Sequence, residues 1–248
     1  MHPVIRKLSV FASFSQVEES AVALALGNIH VIKVGQSFGR QDDRPDGLRF
    51  LISGFACRHK LIENGQRQIL SFMLPGDGCD MGVTLLERRD HSLTALTTCR
   101  VAFTSDEAME HVLEQYPKLK AAFRWASLVE ESISREWIAN VGQREAAARA
   151  AHVFCELYYR WKAIGQAEGM NFELPITQAD LADALGISVV HANRTLQELR
   201  HRKLIAFGDG RLTILNLEEL EQLAEFDLTY LHLEARYDGS SAGATSPT

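Results

Sequence analysis

The chain has 248 residues, of which 46% are apolar, 23% charged and 8% aromatic. This composition argues against a disordered chain and is typical of one large or two modest globular domains. Lys and Arg total 26 against 32 Asp and Glu, a formal net charge of −6. No apolar run is long enough for a transmembrane helix and no secretory leader is recognisable, so we expect a cytoplasmic protein without membrane contact.

The acidity is unevenly distributed along the chain. An acidic protein is at first sight a poor partner for nucleic acid, because DNA-binding proteins usually present a basic surface. Residues 1–143 carry a net charge of −1 and residues 144–214 carry +1, whereas residues 215–248 carry −6. The negative charge therefore belongs to the C-terminal segment and not to the body of the chain.

The N-terminal half predicts short helices followed by strands. Apolar residues between Phe11 and Leu24 recur at steps of three and four, which indicates helix. In residues 31–104, short apolar runs alternate with turn signals such as Asn64-Gly65 and the Leu74–Gly78 run. Strands at this spacing predict a small β-sandwich or barrel.

From Asp106 to Gly165 the chain turns helical, and its first long helix carries an apolar stripe at steps of three or four. Further apolar side chains fall on other faces, so this helix must be covered from more than one side. We expect the β domain on one side and a second copy of the helix on the other, which gives a two-fold dimer. The alternative is a helix enclosed within one subunit. The predicted dimerisation residues are Leu119, Ala122, Ala126, Val129, Ile133, Trp137 and Val141.

Residues 177–214 predict a helix-turn-helix followed by a wing. The Thr177–Asp180 pattern resembles a capping box, Gly186 permits a sharp turn and Ser188 can cap a second helix. Any two-helix hairpin with a glycine turn shares part of this spacing, but two strands folded at residues 208–210 add the wing. This is the pattern in which the second helix enters the major groove of DNA.

The local charge agrees with a DNA-facing surface. Residues 188–211 hold five Lys or Arg against two acidic residues, a net charge of +3. On the second helix, Arg194 can offer a bidentate fork to a guanine edge or a phosphate. Val190 suits a thymine methyl group, and His191 can hydrogen-bond a base or a phosphate.

Taken together, these features resemble the Crp/Fnr superfamily of bacterial transcription regulators. The resemblance covers nearly all of residues 10–215, and its anchors are LPGDG at residues 74–78 and the run at residues 176–205. It implies an α+β fold with an N-terminal β-roll similar to the cyclic-nucleotide-binding jelly roll, a long dimerisation helix and a C-terminal winged helix-turn-helix. The implied divisions are a sensor at 1–105, the helix at 106–143, the DNA-binding domain at 144–216 and an acidic helix with a disordered tail at 217–248.

The resemblance also implies partners and contacts. Family members are homodimers that bind palindromic promoter DNA, so double-stranded DNA, a second copy and RNA polymerase are the expected partners, and no catalytic activity is expected. By position, Thr177 and Gln178 meet phosphates and Arg194 reads the palindrome. The acidic base-reading residue of the best-known members is missing, because Val189 and Val190 stand there. The predicted DNA contacts are Thr177, Gln178, Ser188, Val189, Val190, His191, Asn193, Arg194 and Arg211.

The sensor half departs from the cyclic-AMP-binding pattern. In those members a Gly-Glu pair holds the ribose and an Arg-Ser pair grips the phosphate, whereas the same spacing here gives Asp80-Met81 and His91-Ser92. A cyclic phosphodiester would lose its bidentate partner and meet a carboxylate, so we expect no cyclic-nucleotide binding. The candidate effector pocket comprises Asp80, Met81, Gly82, His91 and Ser92.

The sequence gives little support for a sensor that binds an iron–sulfur cluster, zinc or haem. The four cysteines, of which Cys57 is the first, form no C-x-x-C pair, so iron–sulfur and zinc-ribbon spacings are absent and buried thiols are expected. A lone His or Met is more often structural than a haem ligand, so no cofactor or metal is predicted and the effector stays unknown. The alternative is a ligand-, redox- or haem-sensing module of the same fold that acts mainly through protein contacts. The candidate haem ligands are His30, His59, His91 and Met81.

The acidic C-terminal segment carries an apolar pattern of its own. Leu217, Leu220 and Leu223 predict an extra helix after the wing, and its charge should keep it away from phosphate or lower the DNA affinity. We expect that deleting residues 217–248 tightens non-specific DNA binding if the remainder stays folded. Residues 238–248 are small and polar and are expected to be disordered.

Overall fold

The computed structural model describes residues 1–79 and 83–234. Three predicted pocket residues, Asp80, Met81 and Gly82, and the predicted tail lie outside the described residues. Two short helices open the chain, α1 (Pro3–Leu8) and α2 (Gln16–Ala25). Pro3 occupies the first turn of α1, where its missing N–H costs nothing, and Ser15 forms a capping box with Glu18 at the start of α2.

Seven strands form two antiparallel sheets that pack face to face. The strands are β1 (Ile29–Ile32), β2 (Ser37–Gly39), β3 (Leu48–Ser53), β4 (Ala56–Leu61), β5 (Arg67–Met73), β6 (Ser92–Ala95) and β7 (Cys99–Thr104), with a 3-10 turn at Val83–Leu85. One sheet has the order β1-β7-β3 and the other β2-β6-β4-β5. Side chains from both sheets, such as Leu51 and Leu93, share one buried cluster between them. The predicted small β-sandwich is confirmed.

Strand β3 is buried on both of its faces, which explains its nearly continuous apolar sequence. Leu51 points into the sandwich, whereas Leu48 and Phe50 belong to a second cluster with α1, α2 and the start of the long helix. Successive strand residues face opposite sides, so each face needs its own cover. The N-terminal helices therefore complete the sensor by covering its outer sheet.

Three helices occupy the predicted helical region: α3 (Asp106–Gln115), α4 (Pro117–Gln143) and α5 (Ala146–Ala163). Pro117 separates α3 from α4 because it can begin a helix but cannot continue one. With 27 residues, α4 is about 40 Å long. In the part of the chain that the structure describes, no helix is long and apolar enough to cross a membrane.

The predicted dimerisation stripe on α4 is covered mostly by this chain itself. Leu119 and Ala122 are buried with the N-terminal helices, and Val129, Ile133 and Trp137 are buried in a cluster that joins α4 to α5 and the sensor. Only the remaining two stripe residues, Ala126 and Val141, are partly accessible. Because most of the stripe is buried within this chain, the stripe as a whole cannot be the exposed partner surface. Periodicity identifies an apolar face but does not show which element packs against it.

A buried ionic network joins the sensor to α5. The Arg160 guanidinium donates to Asp77 Oδ2 at 2.8 Å and to Glu156 Oε1 at 3.0 Å. Trp137 Nε1 of α4 donates to Glu156 Oε2 at 2.9 Å. Burial raises the pKa of Glu156 although Arg160 opposes the shift. Because unpaired buried charges are costly, these contacts hold the LPGDG turn, α4 and α5 in one arrangement.

The C-terminal part contains β8 (Asn171–Glu173), α6 (Gln178–Leu185), α7 (Val189–His201), β9 (Ile205–Gly208), β10 (Arg211–Ile214), α8 (Leu217–Ala224) and a 3-10 turn at Leu228–Leu231. Asp209 and Gly210 both have positive φ, as a two-residue type I′ hairpin requires. The sheet order is β8-β10-β9, so β8 adds a third strand to the predicted two-stranded wing.

The described part of the acidic segment, up to residue 234, contributes side chains to the C-terminal core. Leu220, Ala224 and Leu231 are buried in the same cluster as α5 and α7. The Tyr159 hydroxyl donates to Glu221 Oε1 at 2.5 Å, which ties α8 to α5. The predicted helix after the wing is present, but deletion from residue 217 would remove core side chains. That deletion therefore cannot test the charge of the segment alone.

Candidate nucleic-acid interface and effector pocket

The first helix of the pair begins with the predicted capping box. Thr177 Oγ1 accepts from the Asp180 backbone N–H at 3.0 Å, and Asp180 Oδ2 accepts from the Thr177 N–H at 2.9 Å. Asp thus performs the role that Glu or Gln usually has in this motif. Thr177 and Gln178 are exposed at the start of α6, and Gly186 ends the helix at φ +64. The helix start is therefore open to an approaching phosphate.

The second helix, α7, separates into a buried and an exposed face. Ser188 caps it by accepting from the His191 N–H at 3.2 Å, while Ala192, Leu196 and Leu199 are buried. The predicted contact residues Ser188, Val189, Val190, His191 and Arg194 are all exposed, and Val190 is 65% exposed. Exposed valines at a helix start are an apolar surface that no residue in 1–79 or 83–234 covers.

Two predicted DNA contacts bind each other. Asn193 Nδ2 on α7 donates to Gln178 Oε1 on α6 at 2.9 Å. The bond joins the two helices and fixes the orientation of both amides. Asn193 is only partly exposed, which fits a residue that positions its neighbours.

The basic residues of this region are less free than their sequence positions indicate. Arg202 pairs with Glu219 at 3.3 Å, and Arg211 pairs with Glu168 at 3.5 Å while its Nε donates to Asn171. These carboxylates come from outside residues 188–211, so the predicted net charge of +3 overstates the local positive charge. Across residues 1–79 and 83–234, no hydrogen bond or ion pair holds the Arg194 guanidinium, which leaves it available to a ligand.

A cavity of about 560 Å³ lies between the sandwich and α4. Its walls combine apolar side chains of α1, β3 and α4 with polar side chains from several separate segments. Of the two described residues predicted for the effector pocket, His91 lines this cavity. Ser92 does not, because its hydroxyl is buried on β6 and accepts from the Gln41 N–H at 2.9 Å. The polar lining includes Lys7, Arg58, His91 and Glu130.

All three cations among the described residues that line this cavity are already paired. Arg135 Nη1 lies 3.8 Å from Glu131 Oε2. Lys7 Nζ lies 2.6 Å from Asp77 Oδ1 and 3.1 Å from Glu130 Oε1, and Arg58 Nη1 lies 3.8 Å from Glu130 Oε2. Burial acts to lower the pKa of Lys7, but the two carboxylates outweigh it and hold that pKa above its usual value. No sequence motif connects Lys7, Arg58 and Glu130, so sequence patterns could not identify this group.

His91 provides no positive charge to the cavity at neutral pH. Burial and the nearby Arg58 charge hold the pKa of His91 below its usual value, although Asp90 Oδ1 lies 2.7 Å from its Nδ1. The residue predicted to replace a phosphate-binding arginine is therefore neutral. An anion entering here would meet a neutral imidazole and would compete with the Glu130 carboxylate for Lys7 and Arg58.

The thiols are buried in apolar surroundings. Cys57, Cys79, Cys99 and Cys155 are all buried and unpaired. Burial raises the pKa of Cys57 and of Cys79 to about 12, so both stay protonated at neutral pH. Within the described ranges, no group of three His, Cys, Asp or Glu side chains is placed to hold a metal ion. Of the candidate haem ligands, Met81 lies outside those ranges, and His59 Nε2 contacts Thr94 Oγ1 at 2.9 Å.

Comparison with known proteins assigns both halves of the chain. Residues 29–116 match the cyclic nucleotide-binding domain and residues 148–223 match the Crp-like helix-turn-helix domain. The nitrogen fixation regulation protein FixK of Bradyrhizobium diazoefficiens is 26% identical over 190 residues, 77% of this chain and 79% of FixK. The transcriptional activator protein FnrL of Cereibacter sphaeroides is 24% identical over 200 residues, 79% of this chain and 80% of FnrL.

Solved structures support the same fold. FixK2 from Bradyrhizobium japonicum superposes with a TM-score of 0.69 at 20% identity, covering 79% of this chain and 96% of FixK2. At this identity the likeness concerns the fold alone. The α+β architecture of sensor, long helix and C-terminal helix-turn-helix is thereby confirmed. With both domain matches and regulators rather than enzymes among its relatives, the chain belongs to the Crp/Fnr superfamily of transcription regulators.

Proposed function

We propose that the chain regulates transcription in the cytoplasm as a homodimer, with α7 of each subunit in successive major grooves of a palindromic promoter site. The observation that carries this proposal is the exposed start of α7, where Arg194 lies beside two exposed valines and has no partner in the described part of the chain. A free guanidinium can bind a guanine edge with two hydrogen bonds, and a valine suits a thymine methyl group. RNA polymerase is the expected further partner at the promoter.

The dimer contact proposed here lies on the exposed face of α4. Leu128 is 53% exposed and Ile138 is 74% exposed, and positions 128, 131, 135 and 138 follow steps of three and four. A Glu131–Arg135 ion pair at 3.8 Å lies between the two apolar residues. Such a face suits a second helix packed alongside it. This contact lies on nearly the opposite side of α4 from the predicted stripe.

The sensor is proposed to have lost cyclic-AMP binding. At the cavity, Glu130 pairs with Lys7 and Arg58, and Glu131 pairs with Arg135. His91 is neutral where a cyclic phosphate would need a charge. A phosphodiester would have to displace a carboxylate without gaining a bidentate partner, and desolvation would add to that cost. We expect isothermal calorimetry to detect no cyclic-AMP binding under conditions where a cyclic-AMP-binding control protein saturates.

The direct test of the function is selection of bound DNA from a random duplex library with the full chain. We expect an inverted repeat whose half-site centres lie about one helical turn apart, and affinity that falls steeply as salt rises. Enrichment without a repeated motif would contradict the proposal. A library with no retained DNA, together with specific capture of a protein, would favour the alternative that this fold acts through protein contacts.

A further inference from the structure

The β4–β5 hairpin of the sensor contacts the first helix of the DNA-binding domain through a forked ion pair. Arg67, at the start of β5, donates from Nη2 to Asp180 Oδ1 at 2.5 Å and from Nε to Asp183 Oδ2 at 2.6 Å. The two carboxylates lie on one face of α6 because they are three residues apart. The Arg67 side chain is 25% exposed and that of Asp180 only 12%, so solvent screens this pair less than a fully exposed one.

A second contact from the same hairpin reaches the turn between α6 and α7. Gln68 Nε2 donates to the Ala184 carbonyl oxygen at 3.4 Å. Gly186 lies in this turn and packs against the same side chain. A Cβ added to Gly186 would lie 3.5 Å from Gln68 Oε1 and 3.4 Å from Val141 Cγ1. The hairpin therefore touches both the helix and the turn that set the direction of α7.

One carboxylate connects the sensor to the start of α6. Asp180 accepts from Arg67 through Oδ1, while its Oδ2 accepts from the Thr177 hydroxyl at 2.6 Å. Thr177 is the proposed phosphate contact. Without Arg67, α6 would present two uncompensated carboxylates near that contact and would repel a phosphate. The cation that offsets them belongs to the sensor and not to the DNA-binding domain.

We propose that Arg67 is a positioning residue through which the sensor controls DNA affinity. With the hairpin in place, Arg67 fixes α6 and neutralises its carboxylates, and displacement of the hairpin removes both effects and weakens DNA binding. This inference rests on the proposed function, because it specifies how DNA binding at the same α6–α7 surface is regulated.

The test compares charge reversals on the same hairpin in the full chain. Arg67→Glu should weaken binding to the selected palindrome about tenfold, within the usual range of coupling between sites. Lys60→Glu makes the same change of charge on β4 at an exposed residue that has no ion pair in the described part of the chain, and it should shift affinity less than threefold. Adding Asp183→Arg to Arg67→Glu should restore most of the loss, since the pair is then re-formed with reversed signs. Asp183 is chosen because Asp180 also caps α6.

The outcomes separate this inference from the function on which it rests. If the wild-type chain selects a palindrome but Arg67→Glu behaves like Lys60→Glu, the inference is overturned and the function stands. Tighter binding by Arg67→Glu, or no recovery in the double variant, overturns it as well. If the wild type binds no DNA, a thermal-unfolding double-mutant cycle of Arg67→Ala and Asp183→Ala still measures the contact, and independent effects in that cycle would refute the docking itself.

Discussion

Leu231 tests whether the segment after α8 is part of the structural core. It is 1% exposed in the last 3-10 turn, and with Val129 and Ile133 of α4 it lines a small cavity of about 40 Å³. Next to it, the Tyr230 hydroxyl donates to Glu156 Oε2 at 3.1 Å. The turn is therefore fixed between α4 and α5, and Leu231→Ala would open a void beside an existing one.

The expected loss follows from that burial. Truncation of a fully buried Leu to Ala costs about 2–5 kcal/mol, and a void that joins an existing gap favours the middle of this range, about 3 kcal/mol. For a chain of this size, that loss lowers the midpoint of thermal unfolding by roughly 6–12 °C. Leu215→Ala is the matched control, because the same substitution at a residue that is 54% exposed should cost less than about 0.5 kcal/mol.

Thermal unfolding of the two variants, followed by circular dichroism and by tryptophan fluorescence, measures both losses. Trp125 and Trp137 lie on α4, so fluorescence reports on the region that Leu231 contacts. For a chain of this size, a shift of about 2 °C corresponds to less than about 1 kcal/mol. A midpoint for Leu231→Ala within about 2 °C of that for Leu215→Ala would therefore refute the reasoning. It would mean that the turn after α8 does not belong to the core.

The remaining predictions concern thiols, acid and assembly. Thiol reagents should label the native chain far more slowly than the chain in guanidinium, because all four cysteines are buried; equal rates would contradict this. Burial acts to raise the pKa of Asp77, but the charges of Lys7 and Arg160 outweigh it and lower that pKa. The resulting stability is present above about pH 3.9 and is lost as pH falls through the lowered value, so Asp77→Asn should flatten the acid limb of the unfolding profile. In sedimentation, Leu128→Asp should shift a dimer towards monomer, while Leu24→Asp, at another exposed leucine, should not; equal behaviour would place the dimer contact elsewhere.

Local sequence patterns predicted the features that depend only on residues close together in the sequence. The capping box at Thr177, the left-handed Gly186 and the hairpin at Asp209-Gly210 all depend on residues within four positions of one another. The buried and exposed faces of α7 likewise follow from helical spacing, because residues three and four apart share a face. These features determine where the recognition helix begins and which of its faces is exposed. Its exposed residues could therefore be identified from the sequence.

Contacts between distant segments could not be predicted in this way. The apolar stripe of α4 indicated burial but not that α5 and the N-terminal helices provide the cover. The sequence indicated that Arg202 and Arg211 are free cations. In the folded chain they pair with Glu219 and Glu168, respectively. The same applies to Arg67 and Asp180, which lie 113 positions apart in the chain. Each of these contacts can be identified only from the tertiary fold, because sequence periodicity does not show which distant segments meet.

Fluorescence anisotropy with the selected palindrome and a scrambled duplex tests the central claim most directly. Arg194→Ala should lower affinity for the palindrome by about 1–3 kcal/mol per half-site, while binding to the scrambled duplex and the oligomeric state change little. Arg100→Ala, at an exposed arginine on the sensor sheet, should bind both duplexes as the wild type does. Undiminished preference for the palindrome in Arg194→Ala would contradict the assignment of α7 as the helix that reads DNA.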